Sequence, residues 1–281
     1  MKTIGIVVNP SKKLSRKLLP ETITWLKSKN LEVLVVKEEK LDFIDNSLFI
    51  SPKQLREKSD FVIAMGGDGT LLKAVRYIEE SGKPIIGVNL GSLGFLTEIV
   101  VDELFPTLQK ILEGRYHLEK RILLNATVSN GKKFTALNDI VLHMGQSGRI
   151  IEIEIHIGDS HFANFSADGL IVSSPTGSTA YSLAAGGPII QPGVEAQILT
   201  PICPHTLGLR PVIFSSKEVI SIKLKTGTGI FVVDGQTNIE VSEGFSFKVS
   251  QADYQINLVK ATEKNYYEIL RTKLHWGGLH A

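Results

Sequence analysis

Cysteine occurs once in the 281 residues, at Cys203. No disulfide can therefore form within the chain, which fits a reducing compartment, and the lone thiol reads as a small core residue. Long apolar runs are also missing. The longest are of the kind of Gly169-Leu170-Ile171-Val172, far below the roughly 20 residues that cross a bilayer, so no membrane span is expected. The opening MKTIGIVVNP lacks the apolar core and small-residue cleavage site of a secretory signal and reads as a first strand of a cytoplasmic protein. Charge imbalance is slight. A formal net charge of +2 is too small for a nucleic-acid binder, whose affinity comes from many phosphate contacts. The histidines lack metal-ligand spacing: His156 and His161 straddle a Gly158-Asp159 turn, and His275 and His280 lie in a glycine-rich tail. His205 reads as structural, and no Ser-His-Asp or Cys-His set stands out. There is neither an internal repeat nor a low-complexity linker.

What is present is 43% apolar content, enough to fill two cores. Strand and helix signals alternate over the first part of the chain. Residues 3–9, 32–37, 60–65 and 84–88 read as strands, and residues 15–29, 71–81 and 102–113 as helices. Apolar runs of about five residues between amphipathic helices predict a parallel sheet covered on both faces, a Rossmann-like α/β layer. After Gly114 the texture changes. Residues 151–157 alternate strictly, and short strands at 219–224, 230–233, 239–241, 245–249 and 255–259 predict an antiparallel all-β domain. The fold class is thus α/β plus all-β. We expect an α/β domain over 1–116, a β domain over 117–260 and a helical segment over 261–281 that returns to the first domain.

Three stretches carry chemistry. The first, IAMGGDGTLL at 63–72, puts a carboxylate among glycines between a strand and a helix. At the carboxyl edge of a parallel sheet such turns bind ligands, and the amides opening a helix at Leu71 would face an anion. Gly67-x-Gly69-x-x-Leu72 lacks the third glycine of the dinucleotide fingerprint, and no G-x-x-x-x-G-K-[ST] occurs. A carboxylate beside phosphate makes sense if it works with Mg²⁺ or accepts the proton of an attacking hydroxyl; it could also be a turn aspartate bonded to its own backbone. Lys12, Lys13, Arg16 and Lys17 form a basic cluster after the first strand, either a solvated helix face or a phosphate contact. The second stretch, VNLGSLGFL at 88–96, follows the next strand at the same sheet edge. Its Phe95 could stack on a base or pack in a core.

The third stretch is DGLIVSSPTGSTAYSLAAGGP at 168–188. A buried strand ends at Ser173-Ser174-Pro175, and Thr176, Ser178 or Thr179 can cap a short helix that runs through Ala185. Small side chains would leave its backbone open to a flat ring or a sugar. Asn138 and Asp139 open an apolar strand; neighbouring strand residues face opposite ways, so they share a ligand only from a loop or bulge. Asp234-Gly235-Gln236 is a hairpin-turn signal.

GGDGT at 66–70, ND at 138–139, the 168–188 stretch and PHTLGLRP at 204–211 together, in this order along nearly the whole chain, resemble the NAD kinase family. Diacylglycerol kinases, sphingosine kinases and 6-phosphofructokinases carry related GGDG loops; the 168–188 block is the more specific signal. The resemblance implies phosphorylation of the 2′-hydroxyl of the adenosine ribose of NAD to give NADP, from ATP or polyphosphate. It implies Asp68 as proton acceptor and ligand contacts from Gly67, Gly69, Lys73 and Phe95. It further implies contacts from Asn138, Asp139, Arg149 and Asp168, a nucleoside cradle of Thr179, Ala180, Tyr181, Ser182, Leu183 and Ala184, and Gln236 nearby. Mg²⁺ or another divalent metal is expected with the phosphoryl donor rather than on direct protein ligands. The implied partners are NAD and ATP, with no nucleic acid or membrane, and a homodimer or homotetramer. Two departures stand out. The family often has Asn-Glu where this chain has Asn138-Asp139, and often arginine where it has Ser166.

Overall fold

The structure is a computed structural model that describes residues 2–37, 41–91, 93–145, 148–261 and 265–276. Its elements in chain order begin with β1 (Thr3–Val8), α1 (Ser15–Ser28), β2 (Glu32–Val36), β3 (Phe49–Ile50), α2 (Pro52–Lys58), β4 (Phe61–Gly66), α3 (Asp68–Ile78), β5 (Ile85–Asn89) and α4 (Leu104–Leu112). There follow β6 (His117–Val128), β7 (Lys133–Ala136), β8 (Asp139–Met144), β9 (Ile151–Ile157), β10 (Ser160–Ala167), β11 (Gly169–Ser173), α5 (Tyr181–Ala184) and β12 (Ala196–Ile202). The chain ends with β13 (Val212–Ser215), β14 (Ile220–Thr226), β15 (Thr228–Val233), β16 (Thr237–Ser242), β17 (Ser246–Lys260) and α6 (Tyr266–Leu274). The chain forms two compact units, Met1–Lys120 with Ile256–Ala281, and Arg121–Gln255.

The first unit is the α/β layer. Its strands run in the order β5-β4-β1-β2-β3, all parallel, and the end of β17 adds a further parallel neighbour at Leu258↔Ile85. β1 is buried at every position and β5 likewise, as strands with helices over both faces must be. The chain leaves β1 in one direction and β4 in the other, so the loops after these two neighbours open a crevice at their carboxyl ends. α6 belongs to this unit, with Ile269 and Leu270 buried, and its Asn265 side chain accepts from Glu268 N while Asn265 N donates to the Glu268 carboxylate, a capping box.

The second unit is antiparallel β. One sheet has the order β13-β12-β11-β8-β15-β16; in the other, β10-β9-β14-β17 run side by side, and β7 pairs with β6. Ile151, Ile153 and Ile155, the inward residues of the alternating strand, meet Leu142, Leu170, Leu199 and Phe231 in one core. Phe231 is fully buried, with the rings of Phe134, Phe245 and Phe247 within 5.6 Å of its own.

Several expectations need correction. The helix expected from Leu71 begins at Asp68 with the extended Gly67 as its N-cap, because an aspartate in a first turn is favoured by the helix dipole. Strands expected at 245–249 and 255–259 are one strand, β17; its buried set passes from Phe247 and Val249 to Ala252, Ile256 and Leu258, so the alternation slips by one residue in the polar stretch between them, which hides the continuity in the sequence. β3 and α2 occupy a region to which the sequence pattern assigned no element; α2 is capped by Ser51 and Gln54. Cys203 is exposed with φ +43 rather than buried. The helical signal from 262 onward is realised from Tyr266; residues 262–264, His280 and Ser92 lie outside the described residues.

Candidate active site

Gly67 and Gly69 sit at the crevice of the first unit, and a Cβ added to either would meet nothing within 4 Å. They line a cavity of about 400 Å³ with Val8, Asn9, Pro10, Lys12, Thr70 and Lys73. The loops that make it are tied to the sheet by Asn9 N to Met65 O at 2.9 Å and Leu90 N to Gly66 O at 2.7 Å. Lys12 and Lys73 both line this cavity, and Lys73 Nζ stands 5.8 Å from the ring centroid of Tyr77, one turn further along α3. Arg16 of the same basic cluster goes elsewhere: it pairs with Asp42 at 2.9 Å and stacks on Phe43.

Asp68 does not bond its own turn. Its carboxylate reaches the loop after β5, where Oδ2 accepts from Phe95 N at 2.9 Å. Oδ1 accepts from Leu96 N at 3.1 Å, Thr97 N at 3.0 Å and Thr97 Oγ1 at 2.9 Å. The network continues inward, because buried Asn89 donates from Nδ2 to Thr97 Oγ1 and accepts from Gly91 N through Oδ1. Gly94 is required here, since its Cβ would lie 2.1 Å from Asp68 Oδ1. The two glycine-rich stretches are therefore one construction, latched by a carboxylate. Oδ1 is crowded by three donors; Oδ2, with one, is the oxygen with lone-pair capacity left. Phe95 is half-buried, with Lys273 Nζ 5.6 Å from its ring centroid.

The second unit carries the remaining candidates. β8 begins at Asp139, so Asn138 lies just outside the strand and the alternation of strand side chains does not separate the pair. Asp139 is 5% exposed, and its carboxyl is pushed up to about 7 by burial and by the nearby negative charge of Asp234. Asp168 links β10 to β11, donating from its N to Ile202 O and accepting from Met144 N. Arg149 is exposed, and Gln236 donates from its N to Val233 O in the β15–β16 turn. At Ser166, where the family often has arginine, the carbonyl accepts from His205 N at 2.9 Å, which ties PHTLGLRP to the edge of β10.

The hydroxyl-rich turn departs from expectation. No side chain caps it; a 3-10 turn over Gly177–Thr179 precedes the four-residue α5. Ser174, Thr176 and Ser178 are buried. Ser178 Oγ donates to Pro175 O and accepts from Ile190 N, and Ser174 Oγ donates to Leu137 O and accepts from Gly177 N. These hydroxyls replace the backbone partners that a tight turn leaves unsatisfied. Ser182 is buried too, with its hydroxyl 2.9 Å from Thr200 Oγ1, whereas Tyr181 and Ala184 are exposed and Thr179, Ala180 and Leu183 half-exposed. Sequence reasoning passed over Asn89 and Thr97, whose only signal was a polar residue at each end of a glycine-rich loop. It also passed over Arg121, buried with Nη1 3.3 Å from Thr176 Oγ1. Among the described residues no group of three or more His, Cys, Asp or Glu is placed to hold a metal, and no helix is long and apolar enough to cross a membrane.

A glycine-rich crevice with a fixed carboxylate, on a parallel sheet followed by an antiparallel β unit, defines an enzyme of the phosphotransferase class. The family model described as ATP-NAD kinase N-terminal domain matches residues 4–116, and that described as ATP-NAD kinase C-terminal domain matches residues 137–261. The chain is 41% identical to the NAD kinase of Trichlorobacter lovleyi over 284 residues, 99% of each chain, and 41% identical to that of Geotalea daltonii over 263 residues, 92% of each. Among solved structures it resembles the yeast NADH kinase complexed with NADH, at a TM-score of 0.90 and 28% identity over all of this chain and 89% of that one. It shares its fold with an NAD kinase from Archaeoglobus fulgidus in complex with ATP, at a TM-score of 0.80 and 24% identity. The chain belongs to the NAD kinase family.

Proposed function

We propose that this enzyme transfers the γ-phosphoryl group of ATP to the 2′-hydroxyl of the adenosine ribose of NAD, giving NADP and ADP, with Asp68 as the proton acceptor. The observation that carries the reading is the carboxylate of Asp68, fixed by four donors at the rim of an open glycine cleft with Oδ2 only singly engaged. A ribose hydroxyl is a poor nucleophile at neutral pH, and a positioned base typically contributes about 10²–10⁴-fold. Oδ2 would take the hydroxyl proton as the sugar oxygen bonds to phosphorus and the bond from phosphorus to the departing ADP oxygen breaks. Lys12 and Lys73, with the amides that open α3, would face the phosphates.

A divalent cation such as Mg²⁺ neutralises charge on the transferring phosphoryl group in such reactions. In this reading the cation arrives on the triphosphate rather than on direct protein ligands. In the β-rich unit, Asn138, Asp139 and Asp168 would hold the dinucleotide's hydroxyls, and the exposed Tyr181 and its neighbours the nucleoside. Arg149 and Gln236 belong to the same reading, as do polyphosphate as an alternative donor, a cytoplasmic location and a homodimer or homotetramer.

The test incubates purified protein and Mg²⁺ with NAD or NADH and with ATP or polyphosphate, and quantifies the phosphorylated dinucleotide. Formation of NADP that falls by about two to four orders of magnitude in Asp68→Asn supports the reading. Binding of NAD without NADP, transfer to diacylglycerol instead, or near-normal turnover in Asp68→Asn refutes it.

A further inference from the structure

The turn Asp234-Gly235-Gln236 looks in the sequence like an ordinary hairpin, yet its aspartate is turned toward another part of the second unit. Asp234 adopts φ +51, and its carboxylate collects three successive backbone amides from the segment that enters β8. Oδ2 accepts from Leu137 N at 2.8 Å, and Oδ1 accepts from Asn138 N at 2.7 Å and Asp139 N at 3.1 Å. Asp234 N donates in return to Asp139 O at 3.0 Å. Consecutive amides curved around an anion form a strong, directional grip. The opposite side is closed as well. Ser174 N donates to Asn138 O at 2.9 Å, and Gly177 packs so tightly that a Cβ there would lie 2.0 Å from that same oxygen.

We infer that Asp234 is a positioning residue of the dinucleotide site, whose carboxylate fixes the backbone that presents Asn138 and Asp139 and sets a second negative charge beside Asp139. The inference rests on the reading of Asn138 and Asp139 as ligand groups. A hairpin alone does not need this arrangement: glycine or asparagine would serve equally at the left-handed turn position, and the hairpin's own ladder closes through Gln236 N to Val233 O. What aspartate adds is two acceptor oxygens and a charge. The charge has a consequence at Asp139. β11 sets Ser173 opposite it in register, and the β15–β16 turn brings Asp234, the charged group that acts on it from these elements. Burial acts first and Asp234 second to raise Asp139 to about 7, so near neutral pH Asp139 exchanges between a hydroxyl donor and a carboxylate acceptor. Asp234 thus governs both where this group stands and when it ionises.

The test compares wild type, Asp234→Asn, Asp234→Ala and Asp139→Asn in steady-state kinetics with NAD and ATP from about pH 5 to 9, with thermal melts as a fold control. Asparagine nearly keeps the shape but turns one acceptor into a donor facing an amide N–H. The KM for NAD is expected to rise about tenfold in Asp234→Asn, while kcat at saturating NAD and the KM for ATP stay within about twofold. The midpoint of the pH dependence of the KM for NAD moves to lower pH, and that titration vanishes in Asp139→Asn. An unchanged KM and midpoint in a folded Asp234→Asn overturns the inference. So does equal loss toward both substrates with an unmoved midpoint, which a purely structural residue would give, and so does a titration that survives in Asp139→Asn. If both Asp234 variants fail to fold, that last comparison decides. A wild-type protein that leaves NAD unphosphorylated refutes the proposed function instead.

Discussion

At the residue scale, Asp68 has two duties that one substitution separates. An asparagine there must present its amide group to Phe95 N–H or to the Leu96 and Thr97 amides, leaving buried donors facing a donor. A buried donor without an acceptor costs about 1–3 kcal/mol. Asp68→Asn is therefore expected to melt earlier as well as to lose turnover; calorimetry showing an unaltered melt would mean that the latch is not holding the loop. Asp139 gives a different signature. Its carboxyl titrates near 3.8 in the unfolded chain and at about 7 in the fold, so between these values the folded state binds more protons. The stability this group contributes is complete below about pH 4 and drains away as pH rises through about 7. Asp139→Asn should accordingly be nearly neutral at about pH 4 and stabilise by up to about 4 kcal/mol at about pH 8. Denaturant titrations giving the same difference at both pH values would contradict this. The two aspartates also mark how far the sequence could be read. GGDGT announced that Asp68 was special, but its partners lie more than 25 residues downstream, and nothing local names them. Asp234 showed only the signature of a turn, because a backbone amide leaves no trace in the identity of the residue that offers it.

At the element scale, the end of β17 holds a buried charge. Lys260, with 11% of its side chain exposed, pairs with Glu98 at 8% exposure and lies 3.2 Å from Glu119. Removing one member of a buried pair commonly costs about 3–5 kcal/mol, because the other charge is stranded. Lys260→Met should cost about that much, and adding Glu98→Gln should recover part of it; equal stabilities for the single and double variants in urea would show that the pair is solvated. Elements that obey a period were legible. β1, β2, β4 and β5 were found within a residue or two, and β9 to the residue, because apolar runs and strict alternation are direct images of burial. Those that were missed lack that image. β12 contains Pro201 next to its end, which argues against a strand; the structure permits it because β13 pairs only with Ala196–Leu199, leaving Pro201 without a partner on that side. β13 alternates half-buried with exposed residues, as a sheet edge does, so its pattern is faint; β16, the opposite edge, was read only over 239–241 of Thr237–Ser242. α2 is a capped helix of about two turns that buries only Leu55, too little for a helical period to show.

At the scale of the whole molecule, the first unit is discontinuous in sequence, and this makes its stability depend on the last part of the chain. Ile256, Leu258 and Val259 of β17 and Ile269 and Leu270 of α6 are buried with it, each no more than 7% exposed. Leu258 stands in register with Ile85, so the strand closes what would otherwise be an open sheet edge. Each such side chain contributes about 1.5–3 kcal/mol on burial. Together the five approach the 5–15 kcal/mol that typically separates a folded domain from its unfolded state. The chain cut after Gln255 is expected to lose the α/β unit: β5 would expose its edge, Ile85 and Ile86 would face water, and the product should aggregate or show a single early melt. Intermediate behaviour belongs to a cut after Lys260, which keeps the strand but discards Ile269 and Leu270; a loss of about 3–5 kcal/mol by denaturant unfolding is the expected result. If the chain ending at Gln255 melts like the full-length protein, the α/β unit is complete without its C-terminal strand, and the burial seen there contributes nothing to its stability.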